Sequence, residues 1–200
     1  MSTILAYIWD MLPFALAALP VVVLVRVLVC RNRRRRMFHN SIYHEVGIIL
    51  FVCYLAMLLS QTILPHLRLE GGQWQVVLPA AEARMNLYPF TVVWETIQAV
   101  FEEGDMDYFR INLVGNIVVF MPLGFFLPLL WRGFDRALPV AAFGFLFSLT
   151  IEIIQYPLHR GSDVDDIWLN TLGCLLGYLL YRGFKKLFPY GHRRYLRPLR

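Results

Sequence analysis

The chain has 200 residues, of which 58% are hydrophobic and 16% are charged, and its mean hydropathy is +0.54. Because a soluble domain carries about 25% charged residues, this composition excludes an ordinary soluble domain and indicates one multi-pass membrane domain over residues 1–200. The net charge of +5 is compatible with nucleic acid or anionic lipid. In so apolar a chain we interpret it as a signal of membrane topology and expect no nucleic-acid partner.

Five apolar segments are long enough to cross a bilayer as helices, which takes about 20 residues each. They cover residues 11–29, 42–64, 111–131, 138–156 and 167–184. The predicted fold class is therefore an all-α membrane protein with five transmembrane helices. The three cysteines lie in or beside these segments without metal-binding spacing. We therefore expect no disulfide framework, metal site or cofactor.

Residues 65–110 form the longest polar connection between the predicted spans. Apolar and polar residues alternate around Gly71 and Gly72, which predicts a short β-hairpin. Apolar residues then recur at helical spacing at Val93, Ile97, Val100 and Phe101. This spacing predicts an amphipathic helix lying on the membrane surface.

Lysine and arginine residues are unevenly distributed between the two sides of the predicted spans. Fourteen fall in residues 31–40, 131–137 and 182–200, whereas four fall in residues 65–110 and 157–165. Because loops rich in Lys and Arg remain in the cytoplasm, we predict an extracytoplasmic N-terminus and a cytoplasmic C-terminus.

This topology places polar residues from three spans at the same depth. Each span carries a pair spaced three or four residues apart, so each pair lies on one helix face. The pairs are Asn112 and Asn116, Glu152 and Gln155, and Asp166 and Asn170. We therefore expect one polar cluster near the extracytoplasmic leaflet. Gly173 and Gly177 continue the face of the last span as a GxxxG pattern, which lets a neighbouring helix approach closely.

Glu152 is the most informative member of this cluster, because a carboxylate in a membrane helix faces the protein interior or a water-filled cavity. Its candidate partners are Arg84, Arg110 and Arg160. The alternative is a polar network that only fastens the helices together. The residues to which this alternative best applies are Asn112, Asn116 and Gln155.

The segment before the last span adds the carboxylates of Asp163, Asp165 and Asp166. One expectation is that Asp165 or Asp166 caps the N-terminus of the last helix, where Asp is favoured. A second is that Asp163 or Asp165 acts with Glu152 in acid–base catalysis or in binding a cation.

Four short segments follow one another in this half of the chain: NLYPF at 86–90, NLVGNIVVFMPLGFFLP at 112–128, EIIQ at 152–155 and RGSDVDDIWLNTLGCLLGYLL at 160–180. Their order and spacing resemble the VanZ-like family over roughly residues 84–184. The resemblance implies a small multi-pass protein of the bacterial cytoplasmic membrane, of a family named for a protein that raises tolerance to the glycopeptide teicoplanin. It implies no catalytic role for any residue.

Most positions that match the family pattern belong to the polar cluster already predicted. The complete candidate ligand-binding set is Arg84, Asn86, Asn112, Asn116, Glu152, Gln155, Arg160, Asp163, Asp165, Asp166 and Asn170. The expected partners are membrane lipids, and the oligomeric state is not predicted.

Three classes of function fit this set. The first is a binding protein whose outer-leaflet pocket holds a lipid, a lipid-linked cell-wall precursor or a lipoglycopeptide. The second is a membrane enzyme acting on a lipid-linked envelope substrate with Glu152 and Asp163 or Asp165. The third is a small transporter, which is disfavoured because the sequence has no inverted repeat and its polar groups lie at one depth.

Overall fold

The computed structural model describes residues 3–35, 41–63, 66–70, 73–77, 85–86, 88–103, 106, 109–158, 162–190 and 195. The principal helices are α1 Thr3–Arg35, α2 Ile42–Thr62, α3 Thr91–Gln98, α4 Asn116–Leu130, α5 Ala137–Gln155 and α6 Val164–Leu187. A π-helical turn, Ala99–Glu103, extends α3, and another, Phe109–Gly115, leads into α4. The strands are β1 His66–Glu70, β2 Gln73–Val77, β3 Met85–Asn86 and β4 Ser162–Asp163.

In the described part of the chain, four helices are long and apolar enough to cross a membrane. Their spans are Met11–Asn32, Ile42–Thr62, Asn112–Leu130 and Ala137–Gln155. These correspond to the first four predicted spans. The fifth predicted span lies in α6, which has 24 residues but is not among the four. Its apolar content is reduced by Asn170 and by glycine and tyrosine residues that are buried in the helix bundle.

Contacts between helices show that α2 runs antiparallel to α4. The Tyr54 hydroxyl near the middle of α2 donates a hydrogen bond to the Val119 carbonyl at a distance of 2.8 Å. Towards the start of α2, Gly47 lies against Leu130 at the end of α4. The end of α2 therefore lies beside the beginning of α4.

Helix α5 runs antiparallel to α6. The Asn170 amide donates to the Ser148 hydroxyl at 2.9 Å, and Gly144, one turn earlier on α5, faces Cys174, one turn later on α6. Cys174 is also contacted from the other side, because a Cβ atom at Gly124 of α4 would collide with its backbone carbonyl. Helix α6 thus lies between α4 and α5.

Helices α4 and α6 run parallel and approach to backbone contact. A Cβ atom at Gly173 would collide with the Ile117 carbonyl oxygen, and one at Gly177 would collide with the Met121 carbonyl oxygen. Such close packing requires glycine, as in the small-residue interfaces of membrane helices. The predicted close approach at the GxxxG pattern is confirmed.

These directions define two ends of the bundle. The polar end contains the ends of α2 and α5 and the beginnings of α4 and α6, and the basic end contains the opposite termini. The hydrophobic core lies between them and consists of Phe51, Leu58, Phe120, Leu123, Leu127, Leu129, Leu130, Val140, Ile151, Cys174, Tyr178 and Tyr181.

Helix α1 is attached to the rest of the bundle mainly through α2. The Arg26 guanidinium forms an ion pair with the Glu45 carboxylate at 2.5 Å, and both side chains are largely shielded. Only 6% of the apolar window of α1 is buried inside the protein. Most of α1 is therefore available to lipid, which suits an apolar helix in a bilayer.

The connection between α2 and α4 contains a hairpin and a short helix. β1 and β2 pair antiparallel, with Glu70 opposite Gln73, where the sequence predicts a hairpin. Helix α3 packs inward through Val92, Thr96 and Ala99. Of the predicted apolar face, Ile97 and Phe101 are exposed, as is Trp94, whereas Val93 and Val100 are half-buried. Exposed apolar side chains are typical of a helix whose apolar side meets lipid.

We predict that Gly177→Ala weakens the contact between α4 and α6. The added methyl group has no room against the Met121 carbonyl, so the free energy of unfolding should fall by about 1–3 kcal/mol. Thermal unfolding in detergent micelles, followed by circular dichroism, measures the effect. Gly183→Ala on the same helix is the control, because a Cβ atom there meets nothing within 4 Å. Equal melting temperatures for the two variants would contradict the prediction.

Candidate functional site

The polar end brings together residues that are far apart in sequence. β3 pairs with β4 in parallel, with Met85 opposite Ser162 and Asn86 opposite Asp163. The Asn86 amide also donates to an Asp163 carboxylate oxygen at 3.2 Å. This two-residue pairing, which the sequence analysis did not predict, joins the NLYPF segment to the beginning of α6.

Asp163 is the N-cap of α6. Its Oδ1 atom accepts the backbone N–H of Asp165 at 2.8 Å. The expectation that Asp165 or Asp166 caps the helix is therefore wrong, because both of these residues lie inside its first turn. Burial raises the pKa of the Asp163 carboxyl above its usual value, although its hydrogen bonds from the Asp165 backbone and Asn86 act in the opposite direction.

Glu152 is 5% exposed and reaches from α5 to the same cap. Its Oε2 atom accepts the backbone N–H of Asp163 at 2.9 Å. A carboxylate oxygen thus satisfies a donor at the beginning of α6, where free N–H groups favour negative charge. The inward orientation predicted for Glu152 agrees with this position.

Asp165 is fully buried and holds the NLYPF segment in place. Its two carboxylate oxygens accept the backbone N–H groups of Phe90 at 2.6 Å and Val92 at 2.7 Å. Its Oδ1 atom also accepts the indole N–H of Trp168 at 2.8 Å. These three donors give Asp165 a structural role, because the carboxylate serves as a cap for α3 supplied by α6.

Phe90 adopts an unusual backbone conformation at this junction. Its φ angle of 68° lies in the left-handed region, which a bulky side chain adopts only when the surroundings impose it. The Phe90 backbone N–H donates to Asp165 at this position, and the centre of the Phe90 ring lies 5.7 Å from that of the Trp168 ring. Phe90 and Tyr88 remain 63% and 81% exposed, so both present aromatic surface beside the polar residues.

Asp166 and Asn116 join the beginnings of α6 and α4. The Asn116 amide donates a short hydrogen bond to the Asp166 carboxylate. Asn112 is half-buried in the π-helical turn Phe109–Gly115, about one turn earlier. The contact between Asn116 and Asp166 agrees with the prediction that the polar residues of these two spans lie at one depth.

Asn170 lies one turn further into the bundle. Its amide donates to the Ser148 hydroxyl at 2.9 Å, and Ser148 is fully buried. Its Oδ1 atom is buried and has no hydrogen-bond partner among the described residues. A buried carbonyl without a donor is costly, by about 1–3 kcal/mol, which makes this oxygen a candidate acceptor for a donor from outside the described residues.

The remaining candidates have different positions. The Gln155 amide donates to the Thr62 carbonyl at 2.9 Å and so fastens α5 to α2, which agrees with the helix-fastening alternative. Arg84 and Arg160 lie outside the described residues, as does the side chain of Arg110. The predicted arginine partners of Glu152 are consequently untested.

The chemistry of the described cluster is dominated by acceptors. Carboxylates come from two adjacent helices and their connection, and amide oxygens add to them. In the residues that the structure describes, no group of three or more His, Cys, Asp or Glu side chains is arranged to hold a metal ion.

Sequence analysis missed Ser148 and Trp168, since a lone serine in an apolar helix and a tryptophan near the start of a helix are common in proteins without a functional site there.

The bundle and its cluster define a helical protein with several helices able to span a membrane and a buried polar site at one end. A sequence model of the VanZ/LLP1 family matches residues 51–187, and the chain belongs to this family. Protein VanZ of Enterococcus faecium is 35% identical over 100 residues, which are 48% of this chain and 52% of that protein. The chain thus aligns with about half the length of this curated relative. No solved structure matches the chain.

The resemblance predicted from residues 84–184 is confirmed by these matches. The family match extends further in the N-terminal direction, to residue 51 in α2. Helix α1, which is attached mainly through α2, lies outside it.

We predict that Asp165→Asn releases the NLYPF segment from α6. Asparagine keeps one acceptor oxygen and turns an NH₂ group toward backbone N–H donors, so at least one buried donor loses its partner, at a cost of about 1–3 kcal/mol. Amide hydrogen exchange at Phe90 and Val92 should accelerate. Arg132→Gln is the control, because it removes an exposed charge at the basic end of the bundle. Unchanged exchange in Asp165→Asn would rule out the pinning role.

Proposed function

We propose that this protein is a bacterial cytoplasmic-membrane protein that contributes to tolerance of teicoplanin-type glycopeptides by binding a polar envelope group at the polar end. The group is the headgroup of a lipid, a lipid-linked cell-wall precursor or the drug itself. The observation that carries the proposal is the junction of Glu152, Asp166, Asn116 and Asn170 beside an exposed aromatic edge.

The hydrogen-bonding character of the cluster supports a ligand rich in donors. Glu152 and Asp166 contribute carboxylate oxygens, and the Asn170 Oδ1 atom is a buried acceptor without a partner among the described residues. Hydroxyl and ammonium groups donate to such oxygens, whereas a phosphate does not unless cations accompany it. Sugar hydroxyls and amino groups, which occur in cell-wall precursors and in glycopeptides, fit this character.

The exposed rings of Tyr88 and Phe90 support the same assignment. They stand at the edge of the cluster on a segment that Asp165 fixes in place. Exposed aromatic faces beside convergent polar groups are typical of binding sites, since the rings add contact area and the polar groups fix orientation. The strained Phe90 backbone is consistent with a functional segment.

The structural hydrogen bonds of Asp163 and Asp165 favour binding over catalysis. Asp165 accepts three donors and Asp163 caps α6. A group used in this way is poorly suited to exchange protons with a substrate. Among the carboxylates that the structure describes at the polar end, Glu152 and Asp166 are then the ones on which an enzymatic role would rest, and that role is an outcome of the experiment below.

In the proposed topology α6 also crosses the membrane, which gives five spans with the N-terminus outside. Helix α6 runs parallel to α4 and antiparallel to α5, as a fifth alternating span would. The polar end then faces the extracytoplasmic leaflet, where glycopeptides and cell-wall precursors meet, and α3 lies in that interface through Trp94, Ile97 and Phe101.

We predict that Glu152→Gln lowers glycopeptide tolerance without unfolding the protein. The glutamine oxygen can still accept the Asp163 N–H, so the hydrogen bond is kept while the charge is lost. The charged hydrogen bond to a ligand donor should weaken by about 1–2 kcal/mol, roughly a tenfold change in affinity. The teicoplanin concentration that inhibits a susceptible host expressing each variant measures the effect, and native mass spectrometry of the purified protein measures copurified lipid.

Arg132→Gln, which removes one exposed charge at the basic end, serves as the control and should behave as the unmodified chain. Wild-type tolerance together with unchanged lipid content in Glu152→Gln would refute the binding site. Conversion of an added lipid-linked precursor by the unmodified chain, lost in Glu152→Gln, would establish the enzymatic alternative instead.

We predict opposite accessibility for the two ends of the bundle in intact cells. Single cysteines at Gln73 in the hairpin and at Arg136 on the basic end, in a chain with Cys30, Cys53 and Cys174 replaced by alanine, are treated with a membrane-impermeant maleimide. Labelling is expected at position 73 alone, and at both positions after cell lysis. Labelling at position 136 before lysis would reverse the proposed orientation.

A further inference from the structure

A second site with charge of the opposite sign lies at the basic end. A cavity of about 620 Å³ opens where the turn before α5 meets the end of α6. It is lined by Asp135, Arg182, Gly183, Lys185 and Lys186. Its volume falls in the range of small-molecule sites, about 300–1,000 Å³. With three cations against one carboxylate, the cavity is electropositive.

Asp135, the carboxylate among the described lining residues, is already engaged by donors. Lys185 Nζ lies 2.6 and 2.7 Å from the two Asp135 oxygens. The Tyr181 hydroxyl donates to Asp135 Oδ1 at 2.8 Å. Lys185 and Asp135 therefore neutralise one another and fix the α5 side of the cavity to α6.

Arg182 is held in place by a neutral partner. Its NH1 group donates to the Tyr178 hydroxyl at 3.2 Å, and its guanidinium carbon lies 6.0 Å from the centre of the Tyr178 ring. The Tyr178 hydroxyl in turn donates to the Asp135 carbonyl oxygen at 3.3 Å. The guanidinium is thus oriented at the cavity while keeping most of its N–H donors for another acceptor.

We propose that this cavity binds the phosphate group of an anionic phospholipid, with Arg182 and Lys186 as its contacts. A guanidinium matches the geometry of phosphate oxygens, and a lysine ammonium adds a second charge. The apolar surface beside the cavity indicates a lipid rather than a soluble phosphate, since Leu179 lies one turn before Gly183 and is 61% exposed. The site lies at the other end of the bundle from the polar cluster and does not rest on the function proposed for that cluster.

Two simpler explanations account for part of this arrangement. Lysines in the last turn of a helix interact favourably with its free carbonyl groups, and cations accumulate in cytoplasmic loops in general. Neither explanation requires a cavity, nor an arginine oriented by the neutral hydroxyl of Tyr178. The experiment must therefore separate a local site from diffuse attraction.

The test measures lipid retention by the purified full-length chain in detergent, where no charged membrane surface contributes. Phosphatidylglycerol or phosphatidylcholine is added, and native mass spectrometry counts the bound lipid. The site variant carries Arg182→Gln with Lys186→Gln. The control carries Arg132→Gln with Arg136→Gln, which removes two exposed charges from the same end but outside the cavity lining. The conservative variant carries Arg182→Lys with Lys186→Arg.

The unmodified chain is expected to retain phosphatidylglycerol in preference to phosphatidylcholine. Each lost cation should weaken retention about fivefold, or roughly 25-fold for the pair. The control and the conservative variant should stay within about twofold of the unmodified chain, because salt screens charges outside the cavity.

Three results would overturn the proposal. The first is equal retention of the two lipids by the unmodified chain. The second is an equal loss in the site variant and in the control, which would indicate diffuse attraction. The third is displacement of phosphatidylglycerol by inorganic phosphate at the same concentration, which would assign the cavity to a soluble phosphate.

Discussion

The close contact between α4 and α6 is the constraint on which the rest of the structure depends. Two helices can meet backbone to backbone only if side chains are absent from the contact, and Gly124, Gly173 and Gly177 provide this. The contact sets the parallel direction of the two helices and brings both of their beginnings to one place. The polar cluster exists because Asn116 and Asp166 lie at these two beginnings.

The two ends of the bundle hold charge in different ways. At the polar end, buried carboxylates are stabilised by backbone N–H groups at the beginnings of α3 and α6. At the basic end, cations surround one carboxylate that is neutralised by Lys185. Burying charge requires such partners, because an unpaired charge in an apolar surrounding costs far more than a hydrogen bond returns. Among the described residues, the bundle therefore offers mainly acceptors at the polar end and mainly donors at the basic end.

The predictions from sequence were most successful where a residue pattern has a single structural consequence. The apolar segments correctly indicated four helices that are long and apolar enough to cross a membrane, and the GxxxG pattern correctly indicated the close helix contact. The predicted position of the helix cap was wrong by a few residues. Three aspartates lie within four consecutive positions and are equally suited to capping by residue type. The choice of Asp163 depends on where β4 ends. The role of Asp165 could not be predicted, since its partners Phe90 and Val92 are more than 70 residues away.

If the polar end binds the envelope group proposed above, Asp165 has a consequence for recognition. Its carboxylate accepts the backbone N–H groups of Phe90 and Val92, so the aromatic edge is already joined to the beginning of α6 in the folded chain. The conformational entropy of this edge is lost when the chain folds, so an incoming molecule need not order it. Binding at the polar end would then be governed by the fit between ligand and a preformed surface, with little adjustment of the protein.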